Sequence, residues 1–167
     1  MSVKNPRELF VTLLSAARQS NERLANIYQE MNHQTQDPDV KEALESRAWV
    51  LEKDISAIDR CFQLIGEQPT QLSGRLQEVL LEDFRKEVSE IQNPVAKAIF
   101  VLARASTLAH VQAGAYEVLV EAADVSGHYA VGLLLETCLA DKLVFIERTR
   151  RLVRGLIAAK VAARAGA

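Results

Sequence analysis

One stretch limits the fold more than any other. Residues 38 to 65 read PDVKEALESRAWVLEKDISAIDRCFQLI, with apolar side chains at Leu44, Ala48, Leu51, Ile55, Ile58, Phe62 and Ile65. The steps alternate between four and three residues, so all seven fall along one side of a helix. A single helix with one such seam is marginal in water and gains its stability from packing. The rest of the chain must therefore supply partner helices of similar length.

The prolines mark where those partners begin. Three of the four follow Asn or Asp, in NPRE, DPDV and NPVA. Asn5, Asp37 and Asn93 are helix caps by type, and Pro6, Pro38 and Pro94 suit the first helical position. Glu8 stands three residues after Asn5, at capping-box spacing. Gly66, just before Pro69, ends the second segment, and DVSGH at 124 to 128 makes a further break. Five helices are predicted, at about 6–32, 38–65, 74–91, 94–123 and 127–161. The tail AAKVAARAGA is expected to fray from about 161 to 167.

Four of these segments are long. The short one, 74–91, is amphipathic through Leu76, Val79, Leu80, Phe84, Val88 and Ile91. The economical architecture is all-α: an antiparallel four-helix bundle in one domain over 1–167, with the short helix inside the crossover connection. Apolar residues make up 49% of the chain and aromatics only 5%, which fits a core of aliphatic side chains. A net charge of −2 gives no general attraction to nucleic acid or anionic lipid. The basic last helix, with Arg148, Arg150, Arg151, Arg154 and Lys160, reads as a solvated face. Cys61 and Cys138 lie in apolar helical contexts and suit the thiols of a reducing cytoplasm. No signal-peptide pattern opens the chain. The run from Ala98 to Tyr116 is nearly long enough to span a bilayer, but it carries Arg104, His110 and Gln112, so a core helix is expected.

A helical bundle invites a search for a carboxylate-bridged metal pair. That site needs a Glu from each of two helices and Glu-x-x-His from each of the other two. One such motif occurs, Glu30 and His33, at the end of the first helix beside a polar loop. Thr107 stands three residues before His110, and Val125 three before His128. His110 is expected to be buried and hydrogen-bonded to a hydroxyl or carbonyl. Asp141 has Leu134, Cys138 and Phe145 as helical neighbours and needs a partner there. No phosphate-binding glycine loop or nucleophile elbow is present.

The segment order then carries a resemblance. VKEALESRAWVLEKDISAIDRCFQLIGEQP and AHVQAGAYEVLVEAADVSGHYAVGLLLETCLADK resemble the second, third and fourth helices of the ferritin-like family of bacterial YciE and YciF stress-related proteins. ELFVTLLSAARQSNERL resembles its first helix more loosely. The likeness spans roughly residues 8 to 155. It implies a ferritin-like bundle, a homodimer and a cytoplasmic location.

The departures bear on chemistry. An acid of the family's first helix falls on Ala17, its helix-two histidine on Arg47, and the acids after it on Trp49 and Val50. The family's Glu-His-x-Glu becomes Ala109, His110, Val111 and Gln112. In the last helix one acid becomes Ala140, while Asp141 is retained. The resemblance therefore implies a degenerate site made of His110, Asp141, Arg47, Gln112 and Trp49, with no metal or other cofactor. Arg47 is expected to meet Asp141 inside the bundle near His110; Asp54, on the same helix, is the competing partner. The functional expectation is a non-enzymatic, stress-related bundle protein. The alternative is a di-iron or di-manganese enzyme that oxidises substrates or consumes peroxide.

Overall fold

A computed structural model describes residues 3–72 and 74–165. Five helices follow in order: α1 (Pro6–His33), α2 (Pro38–Ile65), α3 (Leu76–Glu90), α4 (Pro94–Val125) and α5 (Tyr129–Ala165). Among the described residues there is no strand. The fold is an all-α helical bundle, as its sequence predicts.

The expected caps form. Asn5 accepts a 2.9 Å hydrogen bond from the Glu8 backbone N–H, and its side-chain amide donates to Glu8. Asp37 accepts from Asp39 and Val40, and Asn93 from Ala96. Each bond satisfies an N–H that the helix itself leaves free. Gly66 closes α2 at φ 69°, a left-handed conformation that suits glycine.

Several boundaries differ from expectation by a few residues, α4 among them, which ends at Val125 rather than at about 123. Gly127 also adopts positive φ, 75°, so the turn extends past it and α5 starts at Tyr129 rather than at about 127. At the other end α5 runs on through Ala165, beyond the predicted fraying point, because its Ala-rich sequence favours helix. Residues 166 and 167 of that tail lie outside the described residues. The short helix begins at Leu76, where Arg75 provides no side-chain cap.

Side-chain pairings fix the topology. Asn21 meets Tyr116, while Tyr28 meets the Ala105 carbonyl, so α1 and α4 run antiparallel. Arg148 pairs with Glu42 and Lys142 with Asp54, so α2 and α5 are antiparallel as well. The bundle perimeter is α1–α2–α5–α4, with α1 against α4 closing the ring. The connection after α2 climbs along α1. Thr70 bonds Ser15, Gln77 bonds Ser20 and Arg85 bonds Glu30. Thus α3 lies against α1 and α4 and carries the chain from one end of the bundle to the other.

Two apolar clusters fill the interior. One, toward the start of α2, includes Leu24, Met31, Leu44, Leu51, Leu102 and Phe145. The other, toward its end, includes Leu14, Ile58, Phe62, Leu119 and Leu135. Helix α4 is apolar and long enough, at 32 residues, to cross a membrane by length and composition. Here it packs against α5 and α1, and its Val101, Leu108, Tyr116 and Leu119 side chains are buried.

Candidate functional site

A chain of polar side chains runs through the middle of the bundle, with contributions from all four long helices. Asp54 of α2 and Lys142 of α5 are 2% and 0% exposed, and the Lys142 ammonium donates to the Asp54 carboxylate at 2.7 Å. The same ammonium donates to the Cys138 carbonyl at 3.1 Å and lies 3.7 Å above the Tyr116 ring. Three different electron-rich partners thus surround it.

The network continues through Tyr116. Its hydroxyl accepts from the Asn21 amide at 2.8 Å, and the Asn21 carbonyl oxygen accepts from Gln112 at 2.6 Å. Gln112 in turn accepts from Arg47 Nη2 at 2.9 Å. Asn21, Gln112 and Arg47 are all buried. The Arg47 guanidinium lies 5.6 Å from the centre of the Phe145 ring, which packs edge-on against Tyr28. The Tyr28 hydroxyl donates to the Ala105 carbonyl. Arg47 Nε and Nη1 have no hydrogen-bond partner.

Burial governs the acid–base behaviour of these groups. It pushes the Tyr28 phenol up to about 12, with the Arg47 guanidinium opposing the shift. Tyr116 is likewise raised, chiefly by burial. Burial lowers Lys142, while the Asp54 carboxylate pulls it back toward its ordinary value. Cys61 is pushed up to about 11 by burial, and Cys138 is raised by burial and then by Asp54. The raised phenols and thiols keep their protons at neutral pH, so neither tyrosine and neither cysteine is activated as a base or nucleophile there.

The residues singled out from sequence divide into two sets. Arg47 and Gln112 belong to the network and touch each other. His110, Asp141 and Trp49 lie on the surface. His110 donates to the Ser106 carbonyl of its own helix, as its carbonyl-bonded reading anticipated, but it is exposed because Ala109, Gln112 and Ala113 take the inward positions. Trp49 is 57% exposed and carries the Lys53 ammonium over its ring, so it adds no bulk to the interior. The expected buried pairing of Arg47 with Asp141 does not form. One residue further along α5 turns the side chain by about 100°, and it is Lys142 that faces inward with Leu135, Cys138, Phe145 and Thr149. Asp54 takes its partner from α5 rather than from its own helix. The one Glu-x-x-His motif is a surface feature: Glu30 forms a two-pronged bridge to Arg85, and His33 is exposed.

Lys142 and Asn21 were missed by reading single residues. A signal existed in the step pattern. Leu135, Cys138, Lys142, Phe145 and Thr149 follow the same four-and-three spacing as the α2 seam.

The matching family model spans residues 5–162 and is described as a domain of unknown function, DUF892. The chain belongs to the DUF892 family. Three solved structures share the fold. The E. coli stress protein YciF matches at TM-score 0.89 and 16% identity, over 93% of this chain and 99% of that one. YcfI of Rhodopseudomonas palustris matches at TM-score 0.85 and 18% identity, over 89% and 95%. A protein of Xanthomonas campestris pv. campestris matches at TM-score 0.70 and 19% identity, over 93% and 99%. No curated protein matches this DUF892 chain.

Proposed function

We propose that this DUF892 member is a non-catalytic, stress-related protein of ferritin-like kind, in which a protein ion pair stands where a metal pair would be held. The observation that carries this reading is the Lys142–Asp54 contact at the centre of the bundle. A di-metal centre needs several carboxylates converging on two dications. The buried side chains of charged type are Arg47, Lys142 and Asp54, two basic groups against one acid. Among the described residues, no three His, Cys, Asp or Glu side chains gather as a metal site would require. A dication placed about 4 Å from Lys142 would meet repulsion of roughly 8 kcal/mol at an effective dielectric of about 20. These residues do not fit the metal pair, and they favour the non-enzymatic reading over an iron or manganese oxidase.

The stress-related role follows the description of the E. coli neighbour and the shared fold. A second copy of the chain is the partner proposed for the exposed Val111 and Val118 of α4 and Leu133 and Val144 of α5. Sedimentation at micromolar concentration should show a dimer; a uniform monomer would contradict it. The buried thiols Cys61 and Cys138 suit a reducing cytoplasm.

Iron loading tests the functional proposal. Protein incubated anaerobically with ferrous iron, desalted and analysed for metal should retain well under one iron per chain. Two retained irons per chain would overturn the reading, as would turnover of peroxide by the loaded protein.

A further inference from the structure

Two faces carry the exposed apolar side chains that a second copy would cover. Val111 and Val118 line a cleft between α1 and α4, whereas Leu133 belongs to a longer stripe on α5. Along that stripe Tyr129, Leu133, Leu143, Ile157 and Val161 are each between 49% and 69% exposed. Glu136, Ala140, Glu147, Arg150 and Arg154 complete it. From 129 to 161 its positions step by four and three throughout, so α5 carries a second seam besides the inward one of Leu135, Cys138 and Lys142. A seam of this kind is the surface on which another helix packs.

The order of residues along the stripe selects the occupant. Leu143 is its midpoint. Glu136 stands seven residues before it and Arg150 seven after; Tyr129 stands fourteen before it and Ile157 fourteen after. Two copies of α5 crossing antiparallel at Leu143 therefore set Glu136 against the partner's Arg150 and Tyr129 against the partner's Ile157, twice each by symmetry. A parallel crossing would set Glu136 on Glu136 and Arg150 on Arg150. The far end of the stripe opens into a groove of about 550 Å³ against α4, lined by Leu102, Val153, Ile157 and Ala158 together with Arg150 and Arg154. In the antiparallel arrangement the partner's Tyr129 and Leu133 lie over this groove. Ion pairs within the chain engage Lys142, Glu147, Arg148, Arg150 and Arg151 of α5, and among the described residues Glu136 joins none of them. The Arg150 guanidinium has donors enough to keep Glu147 and meet a second carboxylate.

We infer that this stripe of α5 is a twofold interface, on which a second copy of the chain binds antiparallel about Leu143. The inference rests on the two-copy reading above and adds its surface and its register.

Sedimentation of the full chain and its variants gives the dimer dissociation constant. Glu136→Arg and Arg150→Glu both alter exposed positions. Each should raise the constant about tenfold or more, because each brings like charges together at two symmetric places. The double variant should return to within about threefold of the wild type. Glu136 and Arg150 are about 21 Å apart along one helix, so such a rescue arises only between copies. Leu143→Cys should give a disulfide-linked dimer under mild oxidation, whereas the wild type, with Cys61 and Cys138 buried, should stay unlinked. A wild-type monomer would overturn both the two-copy reading and this interface. A wild-type dimer that ignores the charge reversals, or whose Leu143→Cys variant stays unlinked, would overturn the interface alone.

Discussion

Lys142 and Asp54 meet across α5 and α2 at 2.7 Å, both sealed from solvent, and the ammonium also faces the Tyr116 ring. The contact ties the two helices at mid-length, between the two apolar clusters. Neighbouring amides extend it through Asn21 to Arg47, so the bundle centre is polar and its two ends are apolar.

Adjacent residues of α5 should therefore behave very differently. Asp141→Ala removes an exposed carboxylate and should change stability by less than about 0.5 kcal/mol. Lys142→Ala strands Asp54 in the interior and should cost about 3–5 kcal/mol. Urea unfolding of the two variants checks this. A mild Lys142→Ala alongside a severe Asp141→Ala would mean that α5 is rotated by one residue.

Alkaline pH should weaken the fold through Tyr28. Its pKa is raised from 10.0 to about 12 in the folded chain, so between these values the unfolded chain has lost a proton that the folded chain keeps. The resulting stability is fully present below pH 10 and is lost as pH climbs toward 12. The slope is about 1.4 kcal/mol per pH unit for one proton. Tyr28→Phe should reduce that slope by about one proton's worth, leaving the share of Tyr116, Cys61 and Cys138, measured by denaturant unfolding between about pH 9.5 and 11.5. An unchanged slope would show that Tyr28 ionises freely.

Glycine substitutions should separate by backbone conformation. Gly66 and Gly127 have φ of 69° and 75°, so alanine at either should cost about 1 kcal/mol. Gly155 lies in the exposed interior of α5, and an added Cβ there meets nothing within 4 Å. Gly155→Ala should stabilise by about 0.5–1 kcal/mol. Thermal melts of the three variants test the contrast.

The fold was legible because its signals are local. Asn5, Asp37 and Asn93 announce their helices through backbone bonds a few residues away, and the α2 seam requires long partners wherever they lie. The polar centre depends on helix rotation, which local signals leave open. Ile55 read as a seam residue, yet it is only half-buried, and its neighbour Asp54 turns inward to meet Lys142. An acid beside an apolar seam reads as surface until a cation from another helix is known to face it. The same uncertainty of about 100° put Asp141 inside and left Lys142 unnoticed. Arg47 and Gln112 were found because both fall on inward positions, but their mutual bond became visible only once α2 and α4 were set side by side.

A double-mutant cycle on Asp54 and Lys142 tests the central claim most directly. Asp54→Leu and Lys142→Met are made singly and together, and each protein is unfolded in urea. If a buried ion pair organises the bundle centre, each single change should cost about 3–5 kcal/mol by leaving a lone buried charge. The double variant should recover much of that loss, giving a coupling of about 2 kcal/mol or more. Single costs below about 1 kcal/mol that simply add would contradict the account, because they would place both side chains in water.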